Sequence, residues 1–198
     1  MLVSTPIGCG MLSRLSRQIG AWAKGWVVLA LFAAFITFNA VVLPRALRQV
    51  QVASGSAVPL EGLDLKFFYT PDKAYSVIAS YNPLVRSLYR RYELTGDIVE
   101  AALYASVFSL AISWLFRRAF APESRMRLLN IVPVGAGVFD LLENGCIAAM
   151  LTICPAKIAI IAWLSTVCTM GKWIFLGVSV LLILVGILKA AMNRFREQ

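Results

Sequence analysis

The sequence predicts an all-α fold: an integral membrane protein built as an antiparallel four-helix bundle with a helical outer loop. Three observations predict it. Of 198 residues, 60% are hydrophobic and 15% are charged, against about 45–50% and about 25% in soluble domains, and the mean hydropathy is +0.77. Four separate stretches supply the roughly 20 apolar residues a helix needs to cross a hydrocarbon core of about 30 Å. The lysines and arginines behind the formal net charge of +9 cluster beside those stretches and form no separate basic domain.

The first stretch, 26–43, carries no charge and stops at Pro44-Arg45. The second, 98–116, holds one acid, Glu100, and stops at Arg117-Arg118. The third, 128–153, contains Asp140, Glu143 and Asn144. The fourth apolar run, 158–188, contains Lys172. It is too long for one perpendicular crossing and too short for two. Residues 158–165 therefore read as a turn or helix start after Pro155, and the span as 166–188. The four spans make one transmembrane domain over 1–198, with residues 44–97 outside the membrane.

Orientation follows the positive-inside bias. Arg14, Arg17 and Lys24 lie in the head, Arg117, Arg118, Arg125 and Arg127 in the short second loop, and Lys189, Arg194 and Arg196 in the tail. Both termini are expected on the cytoplasmic or matrix side. A bacterial inner or plasma membrane is expected, and the mitochondrial inner membrane is the alternative, because the head is rich in arginine and serine and its first acid is Glu61. Stretch 26–43 exceeds a signal-peptide core of about 7–15 residues and is expected to be retained. The lipid bilayer is the expected partner, its anionic headgroups meeting the flanking basic residues. Membrane-protein partners or self-association are compatible with this layout. Nucleic acid is excluded, because no basic–aromatic stacking motif is present.

Within 44–97, residues 49–59 are small and polar and read as a flexible connection. Thr70-Pro71 and Asn82-Pro83 each place an N-cap before a proline at the first helical position. They predict short helices over 71–80 and 83–93. In the second, Leu84, Leu88 and Tyr92 share a face away from Arg86, Arg90 and Arg91. Five of the six tyrosines fall in this loop, a residue that favours headgroup level. The loop is expected to cap the outer mouth of the bundle, or to gate a cavity or receive a partner.

The cysteines are Cys9, Cys146, Cys154 and Cys168, with no C-x-x-C, so a thiol–disulfide exchange centre is not expected. Cys154 and Cys168 are expected at facing ends of spans three and four. There they would pair if that side is oxidising, or remain as free apolar thiols.

The chain has no histidine. That excludes Ser-His-Asp and Cys-His catalysis, histidine-ligated haem, the usual zinc sites and a histidine relay. Any chemistry rests on charges inside the spans, which are costly there and face the bundle interior. Asp140, Glu143 and Asn144, at i, i+3 and i+4, lie on one helical face. Span two offers Asp97, Glu100 and Tyr104, span one offers Thr37 and Asn39, and span four offers Thr166, Thr169 and Lys172. In an antiparallel bundle these converge on the outer half. One acid would pair with Lys172; the others would be protonated, hydrated or bound to a cation. Alternatively the polar groups only lock helix to helix. The expected cluster is Glu100, Asp140, Glu143, Asn144 and Lys172, with Asn39 and Tyr104 secondary. No catalytic residue, metal or cofactor is assigned.

The segment Tyr69-Thr70-Pro71-Asp72 to Tyr89, the pair Arg86/Tyr89 and the run Asp140-Leu141-Leu142-Glu143-Asn144 resemble a group of small four-span membrane proteins with D-x-x-E-N in the third span. The resemblance covers roughly 69–153. It implies the four-span layout and no activity. Carboxylates inside a small bundle also resemble the sterol isomerase type of membrane enzyme, but the histidine often used there is absent. Three functions follow as expectations: an accessory or structural membrane subunit; a proton- or cation-linked carrier or channel component; and an enzyme acting on a lipid-soluble substrate, with Asp140 or Glu143 as general acid/base.

Overall fold

The computed structural model describes residues 7–55 and 61–196. The Cys9 side chain lies outside the described side chains. Regular structure among the described residues is helical throughout. In chain order it comprises α1 (Ile7–Trp22), α2 (Gly25–Thr37), a π-helical turn (Phe38–Val42), α3 (Leu43–Ser54), α4 (Pro71–Ser80) and α5 (Pro83–Glu93). Then come α6 (Gly96–Ala119), a 3-10 turn (Arg125–Ile131), α7 (Val132–Ile153) and α8 (Ala159–Arg196). Four helical runs are long and apolar enough to cross a membrane: Gly25–Ser54, Pro83–Ala119, Arg125–Ile153 and Ala159–Phe195.

Cross-links fix the directions of these runs. Asn130, just ahead of α7, donates to Ser113 near the end of α6 at 2.7 Å. Asn193 near the end of α8 donates to the Ala119 carbonyl that ends α6 at 3.2 Å. Helices α6 and α8 therefore run the same way, and α7 runs against both. These three form the packed core. Helix α2 leans on α6, where Gly25 sits against the Trp114 indole, and buries none of its own side chains. Within the expected four-helix arrangement, α6, α7 and α8 form the core and α2 is peripheral. Arg117 ties down the α1–α2 corner by donating to the Gly20 carbonyl at 2.8 Å and to the Ala23 carbonyl.

Two close approaches lock α7 to α8. A Cβ at Gly135 would stand 2.7 Å from the Phe175 ring, and one at Gly171 would stand 2.7 Å from Phe139. The two rings, one from each helix, lie 5.5 Å apart between the glycines. Each helix gives up a side chain so that the other can insert a ring.

Several boundaries differ from expectation. The first apolar run does not stop at Pro44. Proline cannot donate to the carbonyl one turn back, and its ring crowds that carbonyl. The π turn widens the helix just before it, with the Leu43 N–H reaching the Phe38 carbonyl. The helix continues to Ser54, so much of the expected flexible connection is α3. It ends at Gly55, whose φ of +65° is the left-handed conformation that closes helices. Of the two readings of 158–165, a turn or a helix start, the structure has the helix start: α8 begins at Ala159 and runs unbroken to Arg196.

The outer helices α4 and α5 form where the caps predict them. The Thr70 hydroxyl accepts from the Lys73 N–H at 3.3 Å, and the Asn82 side chain accepts from the Val85 N–H at 2.8 Å. The inward face of α5 is Val85, Tyr89 and Tyr92; Leu84 is 58% exposed. The five loop tyrosines turn into the protein. All are buried, and each hydroxyl has a partner inside. Tyr69 donates to Ser165 at 2.7 Å, and Tyr81 donates to the Glu61 carbonyl. Tyr75 donates to the Ile158 carbonyl at 3.0 Å and accepts the Ile158 N–H at 2.8 Å, which fixes the entry to α8. Burial pushes the Tyr69 hydroxyl up to about 12, so it stays a donor. At the surface, hydrogen bonds from Lys66 and then Lys73 hold the Glu61 carboxyl below its usual range. The cap shares its core with Ile147, Met150 and Leu151 of α7 and Ala162 of α8.

Replacing Gly171 with alanine should lower unfolding stability in detergent by about 1–3 kcal/mol, the usual cost of overpacking. Gly177→Ala, where a Cβ meets nothing within 4 Å, should be neutral or slightly stabilising. Thermal unfolding of both variants checks this. Equal loss in the two would show that ring insertion is not what holds α7 to α8.

Candidate functional site

The turn Asp140-Leu141-Leu142-Glu143-Asn144 divides as its spacing demands. Asp140, Glu143 and Asn144 are no more than 3% exposed, while Leu141 and Leu142 are 46% and 54% exposed. Lys172 of α8 meets the inward face. Its Nζ lies 2.6 Å from Glu143 Oε2 and 3.1 Å from Asp140 Oδ1, and it donates to the Asp64 backbone carbonyl at 3.4 Å. The other carboxylate oxygens are also engaged. Tyr104 donates to Asp140 Oδ2 at 2.8 Å, and Thr169 donates to Glu143 Oε1 at 2.7 Å. The expectation that one acid pairs with the lysine is corrected: both do. An ammonium has three N–H donors, and here three acceptors surround it.

Glu100 stands apart from this triad. Its carboxylate is half-buried and accepts from the Tyr92 hydroxyl at 3.1 Å. Tyr104 joins the cluster. Asn39 does not; its amide donates to the Phe35 carbonyl of its own helix at 3.0 Å, the local bond open to a short polar side chain in a helix. Of the two states open to Cys154 and Cys168, paired or free, the structure has both as free thiols, as is Cys146. Cys154 caps α7, whereas Cys168 sits nine residues into α8, about 14 Å along the axis at ~1.5 Å per residue. A disulfide needs Cα atoms within about 7 Å.

Three acids matter more than the sequence indicated. Asp64 accepts from Tyr89 at 2.5 Å. Asp97 is 8% exposed, with Oδ2 unpartnered among the described residues. Glu93 is fully buried, with neither carboxylate oxygen hydrogen-bonded among the described residues. Asn144 likewise has both amide atoms unpartnered there. Spacing along the chain was a signal for Asp97, since it precedes Glu100 by one turn and Tyr104 by two. Asp64 had none, because it lies in an irregular segment and meets Lys172 through its backbone.

Asp64, Asp97, Glu100, Asp140 and Lys172 border a cavity of about 840 Å³. Phe35, Leu43 and Leu47 form one wall, with Trp173, Leu176 and Val180 of α8 across from them. The polar side is Asp64, Asp97, Glu100, Asp140 and Lys172, interleaved with Tyr81, Tyr89, Tyr92 and Tyr104. The cavity exists because α2 packs on α6 and leaves α8 open on that side. No group of His, Cys, Asp or Glu among the described residues has the arrangement of a metal site.

Comparison with protein-family models, curated proteins and solved structures gave no match.

Lys172→Met should leave two carboxyls buried together without a cation and cost about 3–5 kcal/mol, the usual cost of breaking a buried ion pair. Glu143→Gln keeps the Asp140–Lys172 pair and should cost less. Combining Lys172→Met with Asp140→Asn and Glu143→Gln should recover most of the loss, since no charge is then stranded. Thermal unfolding in detergent measures all three variants. A combined variant as unstable as Lys172→Met alone would show that charge balance is not what the lysine supplies.

Proposed function

We propose that this chain is an integral membrane protein whose outer cavity binds a lipid-soluble small molecule. Its four long apolar runs would cross the bilayer in alternating directions, with both termini on the side rich in basic residues. The observation that carries the binding reading is the cavity itself. It is mostly apolar, of ligand size, and has polar groups converging on one side. An accessory subunit needs no such internal space.

The chemistry favours binding over catalysis by the expected acids. Asp140 and Glu143 are each held by Lys172 and by a hydroxyl donor, so neither is free to move a proton. Proton or ion passage through the bundle is also disfavoured. Along α6, Phe108 lines the cavity and Ser113 lines a separate polar pocket at the other end. Between them Leu110 and Ile112 are buried, Ile112 against Leu115 and Phe116, and Ser109 is the one polar side chain in that stretch.

A brominated alcohol tests the reading, because bromine quenches a tryptophan it touches and Trp173 lines the cavity. With the protein in phosphatidylcholine nanodiscs, ω-bromodecanol should quench with a saturable component. Trp173→Phe should abolish that component and leave the linear part due to probe dissolved in lipid. Quenching that is strictly linear in the wild-type protein would overturn the proposal.

A further inference from the structure

Building on that reading, we propose that the polar end of the cavity's occupant is an organic cation, a protonated amine or quaternary ammonium carried on an apolar body. Four carboxyl groups line the cavity: Asp64, Asp97, Glu100 and Asp140. Two basic side chains line it. Lys172 is divided between Asp140 and Glu143, and Arg48 is solvent-exposed and makes no ion pair among the described residues. Asp64, Asp97 and Glu100 therefore have no basic side-chain partner among the described residues.

Their existing partners point the same way. Tyr89 donates to Asp64, Tyr92 to Glu100 and Tyr104 to Asp140. A phenol O–H orients a carboxylate without bringing a compensating charge. Asp97, nine-tenths buried on the same wall, has an oxygen with no hydrogen-bond donor among the described residues. The rings that carry these hydroxyls, together with Tyr81 and the Trp173 indole, border the same space. Aromatic faces attract cations, most strongly where water is excluded. Apolar walls, aromatic faces and unpaired carboxylates together suit an alkylammonium. An alcohol brings no positive charge to these carboxyls, and a carboxylate would be repelled by any of them that is ionised.

Three probes with one body separate the alternatives: ω-bromodecylamine, ω-bromodecanol and ω-bromodecanoate. Each is titrated against Trp173 quenching in phosphatidylcholine nanodiscs, with affinities corrected for partition into protein-free discs. The amine should bind about tenfold or more tighter than the alcohol, and the carboxylate weakest. Glu100→Gln, which removes a half-buried charge and leaves the Asp140–Lys172–Glu143 network intact, should keep wild-type stability and reduce the amine's advantage severalfold. Equal saturable binding of all three would overturn the cation assignment and leave the binding function standing. Tightest binding of the carboxylate would overturn it in favour of recognition by Lys172. Saturable binding by none of them would overturn both proposals.

Discussion

The constraint on which the rest of this structure depends is the burial of one ammonium. Taking Lys172 and its two carboxylates out of water costs several kcal/mol per ion, and only complete coordination offsets that cost. The chain supplies it from three places: both acids from α7, the lysine from α8 with Thr169 one turn before it, and Asp64 from the segment over the cavity. Tyr104 adds α6. One network thus sets the register of all three core helices and holds the outer segment against them. A shift of α7 or α8 by one residue would strand a charge, and a shift of α6 would take the Tyr104 hydroxyl from Asp140. The network therefore specifies the packing more sharply than apolar contacts between the helices do.

The tyrosine-rich cap follows the same logic. Tyrosine is welcome at a membrane interface because its ring is apolar and its hydroxyl wet. Here the hydroxyls bind inside the protein: Tyr69 to Ser165, Tyr75 to the Ile158 backbone, Tyr89 to Asp64 and Tyr92 to Glu100. The cap is too small to hold a core of its own. It borrows Ile147, Met150, Leu151 and Ala162 from the long helices, and the phenols satisfy polar groups that would otherwise be buried bare.

What could be read from the sequence tracks how local each signal is. The inward face of Asp140, Glu143 and Asn144 follows from helical spacing alone, and Lys172 as their partner follows from its being the one base inside a span. The starts of α4 and α5 follow from Thr70-Pro71 and Asn82-Pro83. What escaped depends on relief available only in three dimensions. Pro44 looks like a helix stop until a π turn absorbs it. Helical spacing groups Leu84 with Leu88, but Leu84 is exposed and Leu88 only borders the cap's core, whereas Val85 and Tyr89 are buried in it. Asp64 acts partly through a backbone carbonyl, which no side-chain pattern announces. Cys154 caps α7 while Cys168 lies nine residues into α8, and ordering in sequence does not reveal that separation.

The cavity joins these points. Its apolar wall exists because the first helix, continued past Pro44 by the π turn, leans on α6 and leaves Trp173, Leu176 and Val180 of α8 uncovered on that side. Its polar side exists because the lysine network needs Asp140 and Asp64 near the outer end of the core. A cavity walled only by leucine and phenylalanine would admit acyl chains without choosing among them. With Asp97 short of a partner and phenols fixing Asp64 and Glu100, a purely apolar occupant would seal unbalanced carboxyls away from water. The groups that stabilise the bundle and the groups that discriminate among ligands are therefore in part the same ones. Asp140 ties the two roles together, because one of its oxygens holds Lys172 while the other faces the Tyr104 hydroxyl on the cavity wall.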